Sequence, residues 1–435
     1  MNNDPRETLD KAPMSLLQII IVGITCVLNG LDGFDVLSIS FASPGIAAEW
    51  NIDRAALGIV LSMELIGMAI GSIAIGGVAD KIGRRHTTLG CMVVMAAGML
   101  ITPFVGDVVQ LSICRVFTGL GIGGVLAAIN AMAAEFSNRK RRHMCVSLMS
   151  IGYPVGGIIG GIIAAKLLAI YGDWRSIFFF GAGITAFFIP VVFFFAPESV
   201  HWLVRKQPKD ALKKVNAAMR RMGHGPVDSL PEVTPEAQKK SMKDLFSPGL
   251  AGITTIVTAA YFLHVTTYYF ILKWVPKIVA DLGFSPSEAT NVLTAANIGG
   301  VIGGILLSFL TLRFDPRKLT MLVMLLGGLS IAAFGNAPAD LFYMGLFAFF
   351  CGITGNTAIM GMFVIFAQAF PTHVRASGTG FCVGIGRGGA ILSPILVGLL
   401  FQWEFSLVAV AAIISVGSIV GAGFLFFLKL REGES

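Results

Sequence analysis

The chain has 435 residues, 55% of them apolar and 13% charged, with a mean hydropathy of +0.79. A soluble protein carries about 25% charged residues; here the charges gather between apolar runs of about twenty residues or more, long enough to cross a bilayer. A soluble fold is thereby excluded, and the net charge of +7 reflects membrane topology and gives no sign of a nucleic-acid partner.

In chain order, the polar stretch 1–14 precedes an apolar run, 15–41, that is too long for a cleaved secretory signal. Spans are predicted at 15–41, 55–79, 87–105, 108–136, 144–170, 176–196, 249–275, 287–312, 319–336, 340–369, 376–400 and 405–429. The expected fold is an all-α membrane protein: twelve transmembrane helices in two pseudo-symmetric six-helix halves. The halves are 1–198 and 249–435, joined by a cytoplasmic loop, 199–248. Within that loop the stretch 209–222 reads by default as a solvated charged face with no binding role; an amphipathic helix lying on the inner leaflet is the alternative.

Several ionisable residues fall inside spans, where a charge costs at least ~2.5–3.5 kcal/mol unless it faces a polar cavity. Asp32 and Asp35 sit one turn apart in span 1, about 25–30 Å from its cytoplasmic end by helical rise. Two carboxylates so placed repel one another and are poorly solvated, so at least one is expected to take up and release protons. Glu64 in span 2, Arg115 in span 4 and Arg387 in span 11 are expected to converge with them near and just above the midplane. In span 7, His264 and Tyr268 share a face. Tyr268 is expected to line the cavity, whereas Tyr269 and Trp274 read as packing or interface aromatics. His264 can titrate or can be a hydrogen-bonded packing residue. Lys273, near the outer end, is expected to snorkel to the interface; the alternatives are a second cation for a dicarboxylate or a counter-ion for Glu64. The six cysteines read as small packing residues rather than metal ligands, and no metal or cofactor is expected.

Orientation follows from lysine and arginine. With the amino terminus inside, 25 of the 32 fall in cytoplasmic segments, and only Arg54, Arg175 and Lys277 fall in outer loops. The positive-inside rule then places both termini in the cytoplasm. A shift of 233 residues superposes the halves: Glu64-Leu-Ile-Gly67-Met-Ala-Ile-Gly71 on Asn297-Ile-Gly-Gly300-Val-Ile-Gly-Gly304, Arg84-Arg85 on Arg317-Lys318, Arg142 on Arg375 and Gly156 on Gly389. Parallel repeats of this kind predict a binding site between the halves and alternating access by rocking. The small-residue pairs allow close helix approach.

The loop Gly76-Gly-Val-Ala-Asp80-Lys-Ile-Gly83-Arg84-Arg85 resembles the signature of the major facilitator superfamily. Arg115-Val-Phe-Thr-Gly119-Leu-Gly121-Ile-Gly123-Gly124 resembles its span-4 motif, and Pro197-Glu198-Ser199 the close of its first half. Within that superfamily, Leu31-Asp32-Gly33-Phe34-Asp35 resembles the span-1 element of the aromatic acid:proton symporters. Phe370-Pro-Thr-His-Val-Arg375-Ala-Ser-Gly-Thr-Gly380 and Gly384-Ile-Gly-Arg387-Gly-Gly fit the same family's spans 10–11. The chain differs from that pattern in Asn297, which stands in a span 8 without histidine, in Glu64, and in the Leu272-Lys273-Trp274-Val-Pro276 end of span 7.

The resemblance implies import of a small aromatic carboxylate with protons across an inner or plasma membrane. Asp32, Asp35, Arg115 and Glu135 are then the expected proton-coupling residues. Arg387 is expected to grip the substrate carboxylate, with a gate or packing arginine as the alternative. Phe34, Glu64, His264, Tyr268, Lys273 and Asn297 are the other candidates for the substrate site. Asp80, Arg84, Arg142, Glu198 and Arg375 are expected to form a cytoplasmic gate, and Asp80 to compensate a helix N-terminus at the start of span 11. Asp32 with Arg115 can instead be a permanent ion pair. Other readings are uptake of a non-aromatic or dicarboxylic acid, and proton-antiport efflux of an organic anion. No nucleophile motif or soluble domain supports an enzyme or a sensor. A small organic acid, protons and the lipid bilayer are the expected partners, and a monomer is the expected state.

Overall fold

The computed structural model describes residues 4–231, 245–247, 250–311, 313–371 and 374–428, and the side chains of all of these but residues 375 and 376. Helix dominates the described residues, and twelve helices are long and apolar enough to cross a membrane. They run Leu16–Trp50, Arg54–Ile82, Arg84–Phe104, Val108–Glu135, Arg142–Tyr171 and Arg175–Phe195 in spans 1–6. Spans 7–12 are Ala251–Asp281, Pro286–Leu310, Pro316–Gly335, Leu341–Ala369, Arg375–Gln402 and Leu407–Phe426. All twelve predicted spans are present, with one systematic difference at their ends.

Span 1 continues nine residues past Phe41 to Trp50, and span 7 six residues past Val275 to Asp281. Both run through a proline, Pro44 and Pro276. Proline deprives the carbonyl four residues earlier of its helical donor. For Pro44 that carbonyl belongs to Ser40, and the Ser43 hydroxyl donates to it at 2.8 Å. The replacement bond lets the helix pass through intact.

Glycine sets the helix spacing. A β-carbon at Gly33 would lie 2.1 Å from the Tyr153 carbonyl oxygen, and one at Gly67 would lie 2.2 Å from that of Val116. Spans 1 and 5, and spans 2 and 4, therefore touch backbone to backbone. The contact at Gly33 also orients the acidic motif. At 100° per residue, Asp32 and Asp35 project away from span 5, into the bundle interior.

The chain divides into two compact units. The first comprises Met1–Val36, Ile66–Gly157 and Arg175–Ala237; the second comprises Leu37–Leu65, Ile158–Trp174 and Gln238–Ser435. Outside the spans, the first unit carries three short helices: Pro5–Lys11, Val200–Lys206 and Ala211–Arg221. The last is the amphipathic helix of the alternative reading at 209–222. Its apolar face (Val215, Ala218 and Met219) is buried against protein, and Arg221 donates to the Phe194 carbonyl at the end of span 6. This face is therefore not free to lie on the inner leaflet, while Lys213 and Lys214 are exposed, in line with the default reading. Five of the six cysteines are buried and all are free thiols.

Candidate functional site

Asp32, Asp35 and Arg115 are fully buried in the first unit. Span 4 brings Arg115 against span 1, where its Nη2 donates to the main-chain carbonyl of Asp35 at 3.1 Å. Its Nη1 lies 3.3 Å from the Met99 sulfur, and its guanidinium stacks 5.2 Å from the centre of the Phe178 ring. The Asp35 carboxylate faces span 6: a β-carbon at Gly181 would lie 3.5 Å from its Oδ1 and 3.0 Å from the Phe34 ring. Phe34 itself packs edge-on to Phe180. Asp32 lies close enough to Cys91 of span 3 to interact with its thiol. The acidic pair and Arg115 thus share one interior, enclosed by spans 1, 3, 4 and 6. Phe34, expected at the substrate site, is a packing residue in that wall.

The corresponding interior of the second unit is built from neutral groups. Gly355 offers only a carbonyl to His264 Nε2 at 2.9 Å, so Nε2 carries the proton; Nδ1 then accepts from the Ser418 hydroxyl at 2.7 Å. His264 stacks parallel to Tyr268 at 6.5 Å, and a β-carbon at Gly355 would meet the Tyr268 ring at 2.1 Å. His264 is therefore the hydrogen-bonded packing histidine. Tyr268 is buried among its own bundle. Trp274 packs as expected, its indole N–H donating to the Pro394 carbonyl. Asn297 is buried and donates to the Leu293 carbonyl of its own helix.

Lys273 does not snorkel: it is completely buried, as is Glu64. The far ends of the spans close tightly within the second unit. A β-carbon at Gly58 would lie 2.4 Å from the Pro394 carbonyl oxygen, and one at Gly398 would lie 2.5 Å from that of Arg54. The Ser62 hydroxyl donates to the Ile391 carbonyl, Arg54 pairs with Asp281 at 3.4 Å, and the Ser287 hydroxyl donates to the Ala165 carbonyl. Span 2 is thereby locked to spans 7 and 11, and span 5 to span 8, at the end remote from the chain termini.

Arg387 is half-buried on span 11 and interacts electrostatically with Tyr261 of span 7. The adjoining Gly386 lies under the Tyr261 ring, where a β-carbon would come within 2.2 Å. Tyr261 is edge-on to Phe366 at 5.4 Å and tilted against Phe363 at 6.1 Å. Tyr261, next to Arg387 and packed against two phenylalanines, is the residue that sequence reasoning missed. The signal was available, since Tyr261 precedes His264 by three residues and Tyr268 by seven on one helical face.

The charges at the ends of spans 2–6 form a second cluster. Arg84 pairs with Asp80 at 2.8 Å and with Glu135 at 3.3 Å, and Arg205 pairs with Asp80 at 2.7 Å. Glu198 accepts from the main-chain N–H groups of Arg84 and Arg85 and lies 3.3 Å from His86. Glu198 is thus the carboxylate that compensates a helix N-terminus, that of span 3. Glu135, expected in the proton pathway, belongs to this cluster. Arg142 joins instead with Asp10 of the amino-terminal helix and donates to the Ala134 carbonyl. The side chain of Arg375 lies outside the described residues.

A model of the major facilitator superfamily matches residues 25–274 and 257–435. The chain is 30% identical over 428 residues to the 4-hydroxybenzoate transporter PcaK of Pseudomonas putida, covering 96% of this chain and 95% of that protein. It is 27% identical over 407 residues to the gallate transporter of the same species, covering 92% of this chain and 89% of that one. To the benzoate transport protein of Acinetobacter baylyi it is 27% identical over 434 residues, covering 98% and 92%. Among solved structures, the xylose transporter XylE from E. coli, in an inward open conformation, superposes with a TM-score of 0.73 at 16% identity. That match covers 96% of this chain and 98% of the other.

Proposed function

Because this chain belongs to the major facilitator superfamily, and is a multi-pass membrane transporter rather than an enzyme, we propose that it imports a small aromatic carboxylate together with protons by alternating access. The observation that carries this reading is the full-length similarity to relatives named for 4-hydroxybenzoate, gallate and benzoate. The proposed setting is the inner (plasma) membrane, with both termini cytoplasmic, in agreement with the lysine and arginine distribution. The halves 1–198 and 249–435 are the rocking bodies and 199–248 is their linker.

In this mechanism Arg387 grips the carboxylate, its planar fork matching two oxygens. Tyr261, Phe363 and Phe366 supply edges and faces to the ring. The Asp32–Asp35 pair takes up the proton. Arg115 stays positive beside it, so protonation of the pair changes the net charge of the first unit's interior. In a poorly screened medium such a change acts over many ångströms. A protonated pair leaves the arginine's charge to favour an incoming anion; an ionised pair opposes it. The coupling is electrostatic, and needs no contact between the aspartates and the substrate. One proton per monoanion makes transport electroneutral; two make it electrogenic.

The test is uptake of radiolabelled acids into proteoliposomes of the purified protein, with an imposed gradient, acidic outside. The panel holds benzoate, hydroxybenzoates, gallate, a benzene dicarboxylate, muconate and shikimate. Accumulation of an aromatic monocarboxylate that a protonophore collapses is the expected result. Accumulation of muconate or shikimate alone moves the substrate to a non-aromatic acid. Outward movement driven by the same gradient makes the carrier an exporter.

A further inference from the structure

The turn 136–142 between spans 4 and 5 holds four consecutive basic residues, Arg139-Lys140-Arg141-Arg142. The gate described above uses none of the first three. The turn is held rigidly against the amino-terminal helix. Gln18 Nε2 donates to the Phe136 carbonyl, Asn138 Nδ2 to the Ala12 carbonyl, and the Arg139 N–H to the Asp10 carbonyl, all at 3.0 Å. Asn138 Oδ1 in turn accepts from the Arg141 N–H. Arg142 is neutralised by Asp10, and Lys11 by Glu7 at 2.8 Å. Among the described residues, no carboxylate pairs with Lys140 or Arg141, and both side chains are exposed.

Between this turn and the amino-terminal helix lies a cleft of about 330 Å³, lined by Asp10, Lys11, Pro13, Met14, Asn138, Lys140 and Arg141. Its volume falls in the lower range of ligand pockets, about 300–1,000 Å³. Its depth in the membrane is set by the helices it joins: span 1 begins at Leu16 and span 5 at Arg142. The cleft therefore sits where the spans leave the bilayer, at the level of lipid phosphates.

We propose that this cleft binds a phosphate-bearing anion, and that its source is the headgroup of an anionic phospholipid in the adjoining leaflet. The cations at the cleft outnumber its one carboxylate, and that carboxylate is committed to Arg142. Preorganisation of the turn by side-chain to main-chain bonds lowers the ordering cost of binding. A bound lipid would tie the amino-terminal helix to the root of span 5.

The experiment is native mass spectrometry of the full-length, delipidated protein offered phosphatidylglycerol or phosphatidylethanolamine at equal concentration. Wild type is expected to retain phosphatidylglycerol selectively. Lys140→Ala/Arg141→Ala is expected to reduce that retention roughly 30-fold, about fivefold per lost charge. Its melting temperature without lipid should remain unchanged, which separates lost binding from lost fold. Lys213→Ala/Lys214→Ala removes the same charge from the Ala211–Arg221 helix and should leave retention intact. Equal retention by the Lys140/Arg141 variant, or equal loss in the Lys213/Lys214 control, overturns the site. Inorganic phosphate supplies the remaining arm. If it protects wild type from thermal unfolding and phosphatidylglycerol does not, the lipid source is overturned.

Discussion

The two bundle interiors occupy the same place in the repeat and are built from opposite chemistry. Asp35 of span 1 corresponds to Tyr268 of span 7, Leu31 to His264 and Thr185 to Ser418. In the second unit, histidine, serine and a glycine carbonyl satisfy one another as neutral groups. In the first, two carboxylates and a guanidinium are enclosed without exposure to solvent. A closed neutral network contributes stability and a defined packing. Buried charge is weak evidence for stability, since apolar packing of the same volume often serves as well or better. The proposed proton coupling gives this buried intramembrane charge a use that stability does not.

Five substitutions would break or sharpen this contrast. The largest effect is expected from Asp35→Asn, which should abolish accumulation driven by a pH gradient while leaving exchange of labelled for unlabelled acid. Full gradient-driven accumulation in that variant would reduce the first interior to a structural ion pair. Next is Gly33→Ala, whose methyl group would meet the Tyr153 carbonyl. Overpacking costs about 1–3 kcal/mol, and backbone yields less readily than a side chain. Gly33→Ala should therefore lower the melting temperature more than Gly355→Ala, which meets the Tyr268 ring. Equal shifts would mean that the aspartates' orientation does not depend on the span 1–span 5 contact.

Arg387→Lys keeps the charge and loses the fork. Apparent affinity for the transported acid should fall about tenfold, equivalent to ~1.4 kcal/mol, as read from the concentration dependence of uptake. An unchanged affinity would remove Arg387 from the binding site. The smallest effect on transport is expected from His264→Leu, which gives span 7 the residue that span 1 carries at Leu31. It strands the Ser418 hydroxyl, costing about 1–3 kcal/mol, seen as a lower melting temperature. The pH profile of uptake should not move; a displaced profile would make His264 part of the coupling.

The membrane helices were legible because hydropathy and span length are local properties. The full length of span 1 was less so, because it depends on the Ser43 hydroxyl replacing the donor that Pro44 lacks. His264 had two readings in sequence because its partners lie 91 and 154 residues away. Lys273 was misread because its flexible stem argues for snorkelling, whereas the fold buries it completely. The partner of Arg142 was overlooked although the signal was local. Asp4, Pro5 and the Glu7–Lys11 pair spell a short capped helix, which carries Asp10 to the arginine.

The most direct test of the account is proton movement itself. A pH-sensitive dye would follow the external medium of lightly buffered proteoliposomes when an acid identified by the uptake panel is added without a pre-set gradient. The account predicts substrate-evoked alkalinisation in wild type and none in Asp35→Asn. Uptake of the acid by wild type without alkalinisation, or alkalinisation of equal size in the variant, would contradict it.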